Sequence, residues 1–126
     1  MTSILLVLLG GAIGSLCRYW WSGLIAERLG ETLPYGTLFV NLAGCLIIGL
    51  AGGFLNKAAG APWEQPLRIF LNIGVCGGLT TFSSFSLQTL NLILSKRWGA
   101  ALANIVVSTT ICLLLVATGW SIGGAY

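Results

Sequence analysis

Residues 76–86 of this 126-residue chain read CGGLTTFSSFS. Seven of the ten residues from Gly77 to Ser86 are glycine, serine or threonine, which together make a poor helix interior. The stretch nevertheless lies inside an apolar segment, residues 67–94, whose helix would be about 42 Å long. That length exceeds the roughly 30 Å thickness of a bilayer core. The pattern therefore predicts a membrane-spanning helix broken near the membrane midplane.

Backbone groups freed at such a break are tolerated only when they are buried in protein, bind an ion or face water. Free carbonyl oxygens there favour a cation, whereas the start of a half-helix favours an anion. The alternative is a continuous helix in which the serine and threonine hydroxyls bond back to their own backbone. That alternative explains single residues better than it explains the whole cluster.

Composition indicates the same environment for the rest of the chain. Hydrophobic residues make up 56% of the sequence and charged residues only 7%, against roughly 25% charged in soluble domains. This balance excludes a soluble enzyme, a nucleic-acid-binding protein and a disordered segment. The chain has no histidine, and its four cysteines lie in apolar runs, so neither a zinc site nor a disulfide framework is expected. The sequence predicts an integral membrane protein.

The few charged residues divide the chain into four apolar stretches of membrane-spanning length. They cover approximately residues 4–26, 35–56, 67–94 and 99–123, with brief connections between them. We therefore expect an all-α fold in which residues 1–126 form a single membrane domain of four helices. Each span also carries a Gly-x-x-x-Gly pair, which lets helix backbones approach closely. These pairs are Gly10/Gly14, Gly49/Gly53, Gly74/Gly78 and Gly119/Gly123.

The basic residues give little preference for either orientation in the membrane. Four spans place both termini on one side, together with a loop that contains Lys57 and Arg68. The opposite side carries Arg28, Lys96 and Arg97, a difference of one cation. Insertion in both orientations, followed by pairing as an antiparallel dimer, would explain this balance. The alternative is a single orientation set by some other feature. The acidic residues, Glu27, Glu31 and Glu64, contribute little to this rule.

Most of the polar side chains within the spans are uncharged. Asn41 interrupts an apolar run, where it could link two helices or offer N–H donors to an ion. Phe82 and Phe85 share a helix face, and their ring edges carry the positive end of the aromatic quadrupole. In the fourth span a weakly polar stripe recurs every four residues, at Asn104, Ser108 and Cys112.

Arg18 is the only charged residue within a span. It either lies at a pore entrance, where it would concentrate anions, or extends its guanidinium to the membrane interface. A proton-coupled transporter would need an ionisable relay among the spans, and none is present. A lining of hydroxyl and amide donors with one cation suits a small anion.

Three motifs together resemble the Fluc (CrcB) family of fluoride channels. They are GGAIGSLCR at residues 10–18, GTLFVN at residues 36–41 and GGLTTFSSFS at residues 77–86. The resemblance extends over all four spans. It implies a passive, fluoride-selective channel that exports fluoride across the bacterial cytoplasmic (inner) membrane and works as a dual-topology antiparallel homodimer. It implies no enzymatic activity, and its partners would be fluoride, a second copy and the lipid bilayer.

The resemblance also assigns roles to individual residues. Arg18 matches the basic residue of the first span, a charge at the vestibule. Gly77 and Thr80 match the break, where main-chain oxygens from both subunits hold a structural Na⁺ at the dimer interface. The resemblance assigns the fluoride pathway to Asn41, Thr81, Phe82, Ser83, Ser84, Phe85, Asn104 and Ser108.

Three residues depart from the family pattern. Ser84 replaces a threonine and keeps its hydroxyl. Gln88 stands where members commonly have glutamate, so a carboxylate role is not expected here. Cys112 is a poorer hydrogen-bond donor than the serine or threonine often found on the fourth helix.

Two other functions remain open from sequence. A small multidrug-type exporter also has four spans and dual topology, but it would need an intramembrane carboxylate. A purely structural membrane protein would not need the costly polar cluster at residues 77–86.

Overall fold

The computed structural model describes residues 1–30 and 33–125, and these residues form helices joined by short connections. Glu31 lies outside the described residues. Helix α1 covers Thr2–Leu29 and α2 covers Tyr35–Lys57. Helix α3, residues 64–79, comprises three consecutive helical stretches, and α4 and α5 follow it. The stretches of α3 are Glu64–Arg68, Ile69–Cys76 and Gly77–Leu79, while α4 covers Phe82–Leu94 and α5 covers Trp98–Ala125.

Four helical segments are long and apolar enough to cross a membrane, which confirms the predicted all-α fold with four helices of that length. They are Thr2–Leu29, Tyr35–Lys57, Glu64–Leu94 and Trp98–Ala125. The first and third segments extend a few residues beyond the predicted limits because the helix continues through charged residues at its ends. Glu64 and Arg68, for example, form an i,i+4 ion pair of 2.6 Å in the first turns of α3.

The third hydrophobic segment contains two extended residues between α3 and α4. Thr80 has φ −81° and ψ 156°, and Thr81 has φ −150° and ψ 108°. Gly77 and Gly78 remain helical in the last turn of α3. Residues Ile69–Cys76 before them wind as a π-helix, a form that often accompanies functional sites.

The glycine pairs mark places where helix backbones touch, as their spacing predicts. Between α1 and α3, a Cβ atom added at Gly10 would lie 2.6 Å from the carbonyl oxygen of Phe70. One added at Gly78 would lie 2.6 Å from the carbonyl oxygen of Gly11. Between α2 and α5, a Cβ atom at Gly119 would lie 2.7 Å from the carbonyl oxygen of Leu46. Close backbone contacts therefore join α1 to α3 and α2 to α5.

Substitution of Gly119 by alanine is therefore expected to separate α2 from α5. The added methyl would meet backbone atoms of Leu46 and Leu50, which cannot move aside as a side chain can. We expect the free energy of unfolding to fall by about 1–3 kcal/mol, measured by equilibrium unfolding in mixed micelles. Gly124→Ala on the same helix is the control, since no atom lies within 4 Å of its added Cβ. Equal stability of the two variants would contradict this account of the contact.

Candidate functional site

The two extended residues, Thr80 and Thr81, are here called the interruption, and a side chain of α2 bonds to the second of them. The backbone N–H of Thr81 donates to Oδ1 of Asn41 at 2.7 Å, and Nδ2 of Asn41 donates to the carbonyl oxygen of Thr81 at 3.2 Å. Because an extended residue has no helical partners, both of its backbone groups would otherwise be unsatisfied. Asn41 supplies both bonds, so it attaches the start of α4 to α2.

Arg18 approaches the same interruption from α1. Thr80 donates through its N–H and its hydroxyl to the carbonyl oxygen of Cys76, at 3.0 and 2.9 Å. The carbonyl oxygen of Thr80 accepts a longer bond, 3.4 Å, from Nη1 of Arg18. The guanidinium therefore lies beside the extended residue Thr80. Its assignment to a vestibule stays a prediction.

Three hydroxyl groups surround the start of α4. The N–H of Ser84 donates to Oγ1 of Thr81 at 3.2 Å, which caps the helix. The Thr81 hydroxyl in turn donates to Oγ of Ser84 at 3.0 Å, and its oxygen lies 3.2 Å from Oγ of Ser83. Thr81 is buried while Ser83 is exposed. The cluster thus runs from the interior of the fold to its surface.

A cavity of about 360 Å³, here called the first cavity, lies between α2, α3, α4 and α5. The rings of Phe82 and Phe85 border it, with their centroids 5.5 Å apart and their planes at 45°. Phe82 is 78% exposed. The other polar and sulfur-bearing residues of the lining come from α2, α3 and α5 and from the two extended residues before α4: Asn41, Cys45, Asn72, Cys76, Thr80, Thr81, Ser108, Thr109 and Cys112.

The predicted pathway residues are brought together in part. Asn41, Thr81, Phe82, Phe85 and Ser108 all line the first cavity, as do Gly77 and Thr80 of the predicted cation site. Ser84 lines a second cavity on the other side of α4. Ser83, Asn104 and Arg18 line neither of these two cavities.

Asn104 is instead engaged in holding α5 against α4. Its Nδ2 donates to Oγ1 of Thr89 at 2.8 Å, and Thr89 donates to the carbonyl oxygen of Phe85 at 2.7 Å. Ser108 donates to Oδ1 of Asn104 at a longer 3.4 Å. Asn104 and Thr89 are both buried. The contact fixes the position of Phe85 relative to α5.

Loss of the hydrogen bond between Asn104 and Thr89 is expected to lower stability. Asn104→Leu leaves the Thr89 hydroxyl oxygen without its donor, and we expect the free energy of unfolding to fall by roughly 0.6–2 kcal/mol, the range of interhelical hydrogen bonds in membranes. Ser108→Ala, one turn along the same helix, loses only the longer bond and should unfold like the unmodified protein. The measurement is equilibrium unfolding in mixed micelles. A loss of stability confined to Ser108→Ala would contradict the assignment.

Comparison with known proteins bears on this geometry. Residues 5–120 match the family model described as CrcB-like protein, Camphor Resistance (CrcB). The chain belongs to the CrcB family. Relatives named fluoride-specific ion channel FluC occur in Opitutus terrae, 47% identical over 94% of this chain and 90% of the relative, and in Rhodospirillum rubrum, 46% identical over 91% and 89%. Fluoride-specific ion channel FluC 4 of Brucella abortus is 43% identical over 92% of this chain and 87% of its own length.

Membership of the CrcB family confirms the resemblance inferred from the three motifs. Together with the four apolar helices, it identifies a multi-pass membrane protein. The relatives are named as ion channels rather than as enzymes.

The sodium ion implied by the resemblance to the CrcB family can be tested against the backbone of the break. Because the Thr81 N–H donates to Asn41, it does not bond to the carbonyl oxygen of Gly77, its partner in a continuous helix. The Ser84 N–H likewise bonds to the Thr81 hydroxyl rather than to the Thr80 carbonyl. Carbonyl oxygens are the ligands that hard cations prefer. Gly77 fits such a site, whereas the Thr80 carbonyl is shared with the Arg18 guanidinium.

Two polar residues of this CrcB-family chain were missed by the sequence reasoning. Asn72 lines the first cavity with its Oδ1 buried and without a hydrogen-bond partner. Its amide in the apolar run of residues 69–76 is the same signal that singled out Asn41. Thr89, which joins Asn104 to Phe85, sits among ordinary helix residues, and nothing in the sequence marked it.

Proposed function

We propose that this chain forms a passive, fluoride-selective channel with no catalytic activity. The observation that carries the proposal is the first cavity, where Asn41, Thr81 and Ser108 meet the rings of Phe82 and Phe85. The lining among the described residues contains hydroxyl, amide, thiol and aromatic groups but no charged side chain. The names of the relatives, fluoride-specific ion channels, support the same conclusion.

The chemistry of fluoride explains why such a lining is suitable. Fluoride is small and strongly hydrated, so its water shell must be replaced by other donors. Asn41 uses one N–H for Thr81 and has a second to offer. The hydroxyls of Ser83 and Ser84 lie outside the lining of the first cavity but next to Thr81, and they supply further donors beside it. The ring edges of Phe82 and Phe85 add positive potential. A narrow lining of neutral donors disfavours chloride and binds fluoride without trapping it.

The proposal includes an antiparallel, dual-topology homodimer in the bacterial inner membrane, with the interruption near the midplane. The nearly equal numbers of cations on the two sides support insertion in both orientations. The high exposure of Phe82 and the open first cavity suit a site completed by a second copy. Labelling of a cysteine introduced at Lys57 from both faces of the membrane would support dual topology, and labelling from one face only would contradict it.

A structural Na⁺ between the two subunits forms the last part of the proposal. The main-chain oxygens of Gly77 and Thr80 would hold the ion, the Thr80 oxygen through the lone pair that Arg18 does not use. The positive charge of the ion would offset the carbonyl dipoles there. Arg18, hydrogen-bonded to the Thr80 carbonyl, orients that group.

The alternatives are less well supported. A multidrug-type exporter would need a carboxylate between the helices, and residues 33–57 and 65–125 contain no aspartate or glutamate. A structural protein would not need the bonded hydroxyls of Thr81, Ser83 and Ser84.

Fluoride efflux from liposomes that contain only the purified protein tests the proposal. Vesicles loaded with potassium fluoride are treated with valinomycin to balance charge, and released fluoride is read with an electrode. We expect rapid fluoride release and little chloride release from matched chloride-loaded vesicles. Absence of fluoride release, with detergent still liberating the full load, would overturn the proposal, as would equal chloride release.

A further inference from the structure

One face of α4 leads away from the hydroxyl cluster towards the helix ends. Ser84, Gln88, Asn91 and Ser95 follow at intervals of four, three and four residues, which places them on one side of the helix. All four line the second cavity, of about 590 Å³, which also borders the end of α1 and the start of α2. A different face of α4 carries Phe82, Phe85 and the buried Thr89.

Among the residues that the structure describes, the lining of the second cavity contains one charged side chain, that of Arg97. It follows α4 in the short connection to α5, is exposed, and forms no ion pair with another described residue. Its neighbour Lys96 carries the same charge but does not line the cavity. The described lining thus combines one cation with neutral hydrogen-bonding groups and contains no carboxylate.

Gln88 also lines the second cavity, and its amide oxygen lacks a hydrogen bond. Its Oε1 is buried and has no hydrogen-bond partner, although the residue lines a polar cavity. Because the oxygen takes the buried position, the two N–H donors of the amide are left to face the cavity. The group is therefore free to bind an anion, because doing so breaks no bond of the oxygen within the subunit.

The second cavity connects to the first through hydrogen-bonded hydroxyls. Ser84 lines the second cavity and accepts a bond from Thr81 at 3.0 Å, and Thr81 lines the first cavity. Polar groups therefore continue from Arg97 past Gln88 to the cluster at the start of α4.

We infer that the second cavity is the mouth of the anion pathway, that Arg97 raises the local concentration of small inorganic anions there, and that Gln88 binds them on their way to Ser84. This inference rests on the proposed function and adds Arg97 and Gln88 to its machinery. It gives the role of entrance charge to Arg97, whereas Arg18 is directed at the Thr80 carbonyl.

The test compares Arg97→Gln with Lys96→Gln, which removes the same charge one residue away. Fluoride efflux is measured from liposomes in potassium gluconate at 0.15 M and 1 M, where the screening length is about 8 Å and 3 Å. At 0.15 M and low fluoride we expect Arg97→Gln to conduct about two- to fivefold more slowly, a modest case of electrostatic focusing. The difference should shrink at 1 M, and Lys96→Gln should match the unmodified protein at both salt concentrations.

Two further variants keep the inference open to refutation. Arg97→Lys retains the charge and should restore efflux, and Gln88→Met, of similar size without an amide, should slow it. Equal rates for Arg97→Gln and the unmodified protein at 0.15 M would overturn the inference while leaving the channel function intact. An equal decrease in Arg97→Gln and Lys96→Gln would overturn it too, since a general surface charge would then be responsible. No efflux from the unmodified protein would instead overturn the proposed function.

Discussion

Replacement of Asn41 by aspartate is expected to abolish fluoride efflux. Aspartate keeps an oxygen to accept the Thr81 N–H, but it loses the N–H that bonds to the Thr81 carbonyl and the second N–H that we assign to fluoride. It also places negative charge in a cavity whose described lining has no cation. A loss of about 3 kcal/mol of favourable interaction corresponds to roughly a 100-fold slower rate. The measurement is liposome efflux at neutral pH.

Asn56→Asp is the matched control for this variant. Asn56 lies on the same helix, is exposed and is absent from the linings of both cavities. It should conduct normally. Asn41→Asp that elutes from gel filtration like the unmodified protein yet retains half of its efflux would contradict the role given to Asn41.

Loss of an aromatic ring at the first cavity should have the next largest effect. Phe82→Leu keeps the apolar character and much of the volume of the residue but removes the positive ring edge. We expect efflux to fall by about tenfold, the rate equivalent of roughly 1.4 kcal/mol. Phe85→Leu should behave similarly, because its ring borders the same cavity as the ring of Phe82. The two ring centroids are 5.5 Å apart.

Phe54→Leu serves as the control for both ring variants. Phe54 is half exposed, stacks on Trp63 and lies outside both cavities. Its efflux should remain at the level of the unmodified protein. If all three substitutions slow efflux equally, the ring edges are not specific to the pathway.

The sequence predicted those features that depend on composition and on local pattern. Apolar runs between charged residues defined the four spans, since burying a charge in lipid is costly. The Gly-x-x-x-Gly pairs predicted close helix contacts, which the glycines of α1, α3 and α5 show. Asn41 and the residues around Phe82 stood out because their polarity conflicts with an apolar run.

Features that depend on tertiary contacts could not be predicted from the sequence. The bonds between Asn41 and Thr81 join residues 40 positions apart, and nothing local in either segment indicates the other. The sequence placed Asn104 on a pathway stripe, but its partner Thr89 lies on another helix. The sequence allowed Arg18 to lie at a pore entrance or at the membrane interface. Its contact with the Thr80 carbonyl depends on how α1 packs against α3.

The attachment of Thr81 to Asn41 has a consequence for how the protein enters the membrane. In lipid, a peptide group without a partner costs several kcal/mol, and Thr81 would present two such groups if its segment were inserted alone. The bonds that satisfy them come from α2, which precedes this segment in the chain and so leaves the ribosome earlier. The third segment can therefore satisfy these groups in the described shape only where the second span lies beside it.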